Sequence, residues 1–347
     1  MAGELAPTDH HRPVGRPWRM LGTSMSPNLL LMCKLLFLLL ALHSFHKKLG
    51  DPFLPFISGL DAFNHYPGLF CGALEIGFFL GGLCLFFNVQ VRVAAVTLGL
   101  TVLLAVVASK PGYRNHILIS GCLFLLAGLQ RRDEEPWMLS LQMAVIYFGA
   151  FVNKALAPDW WSGQFMHNWM HNDLSNRSYE FFSPWFPGNT LAAMASWGVI
   201  ASELALAVLF LVKKWHHLAV FLTLAMHGSF FVIVGRTPFG YFLESIVIAM
   251  LAFLHWPEGR LAVSPARRLE KLVEGFLRWA NWDRQFERGK TLADGSPHWL
   301  QVDRAGGTHK DARALQPCLM YNGAVYVFLF FAFNGVAFLW SRLPQWI

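Results

Sequence analysis

The chain has 347 residues, of which 55% are hydrophobic, 15% aromatic and only 14% charged, whereas a soluble domain carries roughly a quarter charged residues. A water-soluble body of this size cannot hide that much apolar surface, and the same figures exclude disorder, a collagen-like repeat and a small disulfide-stapled fold. The formal charge of +7 reads as the cationic ends of membrane helices facing anionic lipid, not as a nucleic-acid footprint.

In chain order, residues 1–27 are polar and contain Arg12, Arg16 and Arg19. No cleavable signal is expected there, because the first apolar stretch opens only at Asn28. A spanning helix needs about 20 mostly apolar residues to cross a hydrocarbon core of roughly 30 Å. Nine candidates follow, at 28–46, 67–87, 91–109, 115–130, 137–156, 189–212, 217–235, 238–255 and 319–340, the fourth having the shortest apolar run. Placing the N-terminus inside puts Arg92, Arg131, Arg132, Lys213 and Lys214 on the cytoplasmic side with the basic segments around Arg260, Arg267, Arg268, Lys271, Arg304, Lys310 and Arg313. Fewer basic residues, among them Lys47, Lys110, Arg114, Arg177 and Arg236, then lie outside, the bias expected of a plasma-membrane protein, of bacterial type if the source is prokaryotic.

The expected architecture is all-α, a polytopic membrane bundle of about nine transmembrane helices plus a cytoplasmic amphipathic helix. Its parts are a polar cytoplasmic N-terminus at 1–27, a membrane domain of eight spans at 28–255, a basic cytoplasmic loop at 256–318, a final transmembrane helix at 319–340 and a short outer tail at 341–347. The outer loop 157–188 is rich in Trp, His and Asn, a composition that suits the headgroup level. In the inner loop, Ser264-Pro265 precedes Leu269, Leu272, Val273, Phe276, Leu277 and Ala280 at helical spacing. This predicts a helix lying on the membrane surface, with a small soluble subdomain as the alternative. Cys33, Cys71, Cys84, Cys122 and Cys318 lie in or beside apolar segments without a CxxC pair, so small buried hydrophobes are expected. No internal repeat, phosphate-cradling glycine loop, metal cage or nucleotide fingerprint is present.

An ionisable group within a span is costly and marks a candidate site. Glu75, Lys154, Glu203, His227 and Glu244 are such groups, with Asn115-His116 at the mouth of the fourth span. Topology places most of them in the outer half and Lys34 in the inner half. Each also has a plainer reading: Lys154 can snorkel to water, the carboxylates can hold interhelical hydrogen bonds, and His227 can be a packed core residue. If they converge, the chemistry is definite. A Lys shielded from water can exist as the neutral amine, a general base or nucleophile, and His can relay a proton or stabilise an oxyanion. Access through lipid suits a hydrophobic substrate such as a quinone.

Four stretches resemble one family. Tyr147-Phe148-Gly149-Ala150-Phe151-Val152-Asn153-Lys154, then Asp159-Trp160 and Gly163, is similar to the signature of the HTTM domain, the membrane domain of vitamin K-dependent gamma-glutamyl carboxylase. Asn115-His116, Glu203, and Met226 to Phe231 followed by Val234 to Phe239 resemble further family elements in the same order, covering roughly residues 28 to 255. The resemblance implies Lys154 as catalytic base with His116 assisting, and His227, Glu203, Asn115 and Trp160 at the substrate. It also implies a reduced, vitamin K hydroquinone-like quinone with O₂ and CO₂, and a protein or peptide substrate.

Phe151 and Ala155 stand where the family has Gly and Leu, and one extra residue separates Lys154 from Asp159-Trp160. After the ninth span only Ser341 to Ile347 follow, without a counterpart of the large extracytoplasmic domain of the animal carboxylases. Quinol oxidation is therefore expected ahead of processive carboxylation, with a non-catalytic membrane scaffold or maturation partner as the alternative. A transporter ranks third, because Lys34 alone is a strong polar candidate in the inner half.

Overall fold

The computed structural model describes residues 25–131, 135–234, 240–254, 256–257, 259–281 and 285–342. The segment with Arg12, Arg16 and Arg19, Arg132, the turn 235–239 with Arg236, and the tail from 343 onward lie outside the described residues. Each of the nine apolar segments contains a helix. These are α1 (Pro27–Leu42), α2 (Pro67–Phe86), α3 (Val91–Ala108), α4 (Asn115–Leu129) and α5 (Trp137–Ala155). Three short helices follow, α6 (Pro158–Trp161), α7 (Gln164–Asn168) and α8 (Arg177–Phe182), then α9 (Thr190–Leu211), α10 (His216–Val234) and α11 (Gly240–Ala249). Beyond α12 (Glu270–Ala280) and α13 (Ala312–Met320) comes α14 (Gly323–Arg342). Pro27 and Pro67 open α1 and α2, where a missing N–H costs no hydrogen bond.

Among the described residues, four helices (α2, α3, α5 and α9) are long and apolar enough to cross a membrane, and the bent pair α13–α14 makes a fifth if it is one span. The helices α1, α4 and α11 with its continuation to Phe253 are apolar but shorter. The outward faces carry large apolar side chains: Leu69, Ile76 and Leu80 on α2, Val145 and Phe148 on α5, Val208 and Leu211 on α9, Phe328 and Phe331 on α14. Faces this apolar on several helices require lipid or another apolar cover.

The core is built around α1, whose Met32, Cys33 and Leu36 are fully buried, packed against α2, α4 and α11. Lys34, on the same helix and also buried, donates to Asn88 Oδ1 at 2.8 Å, just past the end of α2. The α3–α4 contact is made by glycine. A Cβ at Gly99 would stand 2.6 Å from the Leu125 backbone nitrogen, and one at Gly128 would stand 2.8 Å from the Arg92 carbonyl oxygen. Small residues let apolar helices approach until backbones touch, which supplies the dispersion that water-driven burial cannot supply in lipid. Arg92 then caps α4, donating to the carbonyls of Gly128 at 3.0 Å and Leu129 at 3.1 Å. Gly99→Ala is expected to cost about 2 kcal/mol, the range for overpacking, whereas Gly149→Ala, with open space around its Cβ, is expected to be near neutral. Unfolding of the two variants in one detergent compares them.

The region after α11 corrects the all-α expectation. It folds into a four-stranded sheet of order β2-β1-β3-β4, from β1 (Leu261–Pro265), β2 (Phe286–Arg288), β3 (Leu300–Arg304) and β4 (Gly307–Lys310). β1 runs parallel to β2, and β3 is antiparallel to both β1 and β4. Leu261, Val263, Phe286, Leu300 and Val302 form its core, closed by Val273 and Leu277 of α12 and by Ala314 and Cys318 of α13. Val273 and Leu277 of α12 thus pack on protein, while Leu272, of the same apolar face, and Trp279 stay exposed. Strands of three to five residues paired across the loop leave too little alternation in the sequence to be seen.

One carboxylate fixes the junction between sheet and α13. Asp311 accepts from His298 Nδ1 at 2.8 Å and from the Trp299 amide at 2.7 Å. The His298 bond, followed by the Trp299 and Leu300 amides, holds its carboxyl below the usual carboxylate range. A depressed carboxyl contributes stability above its unfolded value and loses it as pH falls through the folded one. Acidification below the ordinary carboxylate range is therefore expected to lower the protection of the Trp299 amide relative to its intrinsic exchange rate, and Asp311→Asn to make that protection independent of pH.

Candidate functional site

The residues singled out in the sequence do not all gather in one place. Lys154 lies in the last turn of α5 and Glu203 midway along α9, and these two helices pack along each other. The Lys154 ammonium donates to Glu203 Oε1 at 2.7 Å, with the side chains 19% and 9% exposed. Lys154 therefore turns inward to a carboxylate and not along its stem to water. The Trp160 ring covers the ammonium, 5.1 Å from Nζ, within cation–π range.

Tyr147 lies seven residues before Lys154, two turns along the same face of α5, and is buried. Its hydroxyl is 2.8 Å from Nε2 of buried His227 on α10. Tyr147 was part of the quoted motif but carried no role there; the seven-residue spacing was the available signal. Glu203 Oε2 and His227 Nδ1 are among the buried polar atoms that have no hydrogen-bond partner among the described residues. Buried polar groups in folded proteins are almost always satisfied, so both are positions where a ligand or water has a hydrogen bond to make.

The sequence between α5 and α9 folds back as a cap beside this pair. Trp161 Nε1 donates to the Ala155 carbonyl at 2.7 Å, covering the end of α5, and Trp197 Nε1 donates to the Trp161 carbonyl at 3.0 Å. Gly163 makes the turn at φ +75, where a Cβ would lie 2.4 Å from the Ala193 nitrogen on α9. Met166, Met170, Tyr179 and Ala192 form a small core with Trp160 and Trp169 packed against it. The His167 ring nitrogen Nδ1 pairs with the Tyr179 hydroxyl at 2.7 Å. The aromatic loop is therefore a folded segment with a small core of its own.

His116 sits elsewhere. Its ring is 6.0 Å from that of Tyr241 on α11, and no contact among the described residues joins it to Lys154. Asn115 is exposed at the first position of α4. Of the other flagged groups, Glu75 is exposed on α2 and Glu244 is buried on α11. The five cysteines are free thiols, and among the described residues no group of three or more His, Cys, Asp or Glu is gathered for a metal.

Fold and site together define a helical protein with apolar helices long enough to cross a membrane and an ion pair clamped between two of them. No protein-family model, curated protein or solved structure matches the chain.

Proposed function

We propose that this chain is a nine-span integral membrane protein of the HTTM type, N-terminus cytoplasmic and C-terminus outside, that oxidises a reduced quinone-like substrate at the Lys154–Glu203 pair. The observation that carries the reading is that pair, covered by Trp160 and with one carboxylate oxygen, Glu203 Oε2, buried and without a hydrogen-bond partner among the described residues. The donor set fits a hydroquinone: Glu203 Oε2 is an acceptor for a phenolic O–H, His227 Nδ1 is a second polar contact, and the Trp160 indole is an aromatic wall. The hydroquinone, when bound, supplies the electrons, with O₂ as oxidant.

In this reading Glu203, and not Lys154, accepts the first proton. The resemblance makes Lys154 the base, yet an ammonium donating to a carboxylate has no lone pair to offer. Glu203 Oε2 is the open acceptor for the substrate proton; Lys154 would be the base only in the alternative form of the pair, in which its proton already sits on Glu203 and the carboxyl is spent as an acceptor. Lys154 then acts first by holding negative charge in place, and Tyr147–His227 orients or exchanges a proton from the α10 side.

A non-catalytic scaffold is favoured by one observation, the separation of His116 from Lys154. The two readings differ in a direct assay: membranes carrying the protein receive vitamin K hydroquinone, O₂ and CO₂, and epoxide and carboxylated product are measured. Turnover that falls at least a hundred-fold in Lys154→Ala and in Glu203→Gln, the scale of a lost acid–base group, supports the enzyme. Turnover no higher than in Lys154→Ala membranes sinks it for this substrate and leaves the scaffold.

A further inference from the structure

The sheet subdomain carries a second site, independent of the Lys154–Glu203 pair. A cavity of about 430 Å³ opens between the β3–β4 hairpin and the start of α13, and Arg304, His309, Lys310 and Arg313 line it. Four arginines of the same subdomain have carboxylate partners: Arg260 with Glu287, Arg267 with Asp294, Arg278 with Glu274, and Arg288 with Glu270. Arg304, Lys310 and Arg313 have no ion pair or side-chain hydrogen bond among the described residues. Like charges gathered in one concavity repel, and their field draws in a counter-anion.

The nearest carboxylates are committed elsewhere. Asp311 accepts from His298 and Trp299 and does not cap α13 with its side chain. Asp303 accepts from Gln301 Nε2 at 3.0 Å and Thr308 Oγ1 at 2.7 Å. Thr308 lines the cavity, so the Asp303 carboxylate stands at its edge, held by these two bonds and outnumbered by the cations. The first turn of α13, which carries Arg313, adds the positive end of a helix dipole to the cationic wall, the Ala314 and Leu315 amides being already bonded to the Asp311 carbonyl at 2.9 and 3.1 Å. The hairpin turns through Gly306 and Gly307 at φ +103 and +154, so backbone and not side chain forms that edge of the cavity.

We infer that this cavity binds a phosphate-bearing anion, the headgroup of an anionic lipid or a free phosphate. The surroundings favour the headgroup. Leu315, Leu319 and Met320 of α13 are exposed, and α13 meets apolar α14 at 73°. A nine-residue helix is ~14 Å long, so the cavity lies about that far to the side of the α14 entry point. A helix with a cationic start and an exposed apolar face is built for the headgroup boundary.

The test uses the full chain in a neutral detergent, titrated calorimetrically with inorganic phosphate, with dihexanoyl-phosphatidylglycerol and with zwitterionic dihexanoyl-phosphatidylcholine. Saturable binding of an anionic titrant, weakened by salt and at least ten-fold weaker in R304A/K310A/R313A, is expected. Arg278→Ala, which removes a cation outside the cavity, should leave it unchanged. Phosphatidylglycerol binding without phosphate binding assigns the site to lipid; phosphate binding of equal strength assigns it to the phosphate group alone. The triple variant is expected to melt no lower than the parent without ligand, because its cations hold no partner; Arg313→Gln alone serves if the triple variant does not fold. Phosphatidylcholine binding as tightly as phosphatidylglycerol, no saturable binding of either anion, or equal binding by the variants overturns the inference.

Discussion

Glu203→Leu alone is expected to destabilise the bundle by about 3 kcal/mol, the lower part of the range for breaking a buried ion pair. The loss comes from what remains, a Lys154 ammonium 2.7 Å from a carboxylate that has gone, held under Trp160 in an apolar setting. It falls at the lower end because the Lys154 side chain is 19% exposed and can swing part of the way to water. The double variant K154M/E203L removes both charges and is expected to recover most of the loss, since apolar side chains of similar volume often replace a buried pair without penalty. Unfolding of parent, both single variants and the double in one detergent completes the cycle. Additive losses would show that Lys154 and Glu203 are neighbours without being partners, and would remove the basis for placing a substrate between them.

Gly163→Ala is expected to cost at least as much, and to act on the cap. A left-handed backbone costs a residue with a Cβ roughly 1–2 kcal/mol, and at φ +75 the new atom also meets the Ala193 nitrogen at 2.4 Å. Backbone cannot swing aside as a side chain does, so the start of α9 or the whole turn must shift, bringing the total to about 3–4 kcal/mol. Gly188→Ala separates the two costs, because Gly188 is also left-handed, at φ +53, but has nothing within 4 Å; it is expected to lose only about 1 kcal/mol. Limited trypsin digestion at exposed Arg177 reads the cap directly. Cleavage should accelerate strongly in Gly163→Ala and little in Gly188→Ala; equal acceleration would mean that the turn is not seated on α9.

Much of the site was visible residue by residue. Lys154, Glu203, His227 and Trp160 are conspicuous because each is a polar or amphipathic group in or beside an apolar run, and the structure joins Lys154 to Glu203 and Trp160. Grouping them was another matter. His116 lies beside Tyr241 and not beside Lys154, because α4 packs against α3, α1 and α11 more closely than against α5. No local pattern states which helices are neighbours. The partner of His227 is Tyr147, a residue that reads as an ordinary aromatic in a helix until α5 and α10 are seen together. The sheet was missed for a related reason: Val263 pairs with Arg288 on one side and Val302 on the other, and these contacts exist only once the loop has folded.

From its sequence alone, this protein's apolar solvent and the places of its helices were determined. Hydropathy acts on each segment by itself, and a helix satisfies its backbone within its own turns. Only the tertiary structure decided which buried charge meets which, that a cationic hairpin and a helix start enclose one cavity, and that a sheet covers α12. Those outcomes depend on which faces of distant segments are brought together, and packing settles that between segments and not within them.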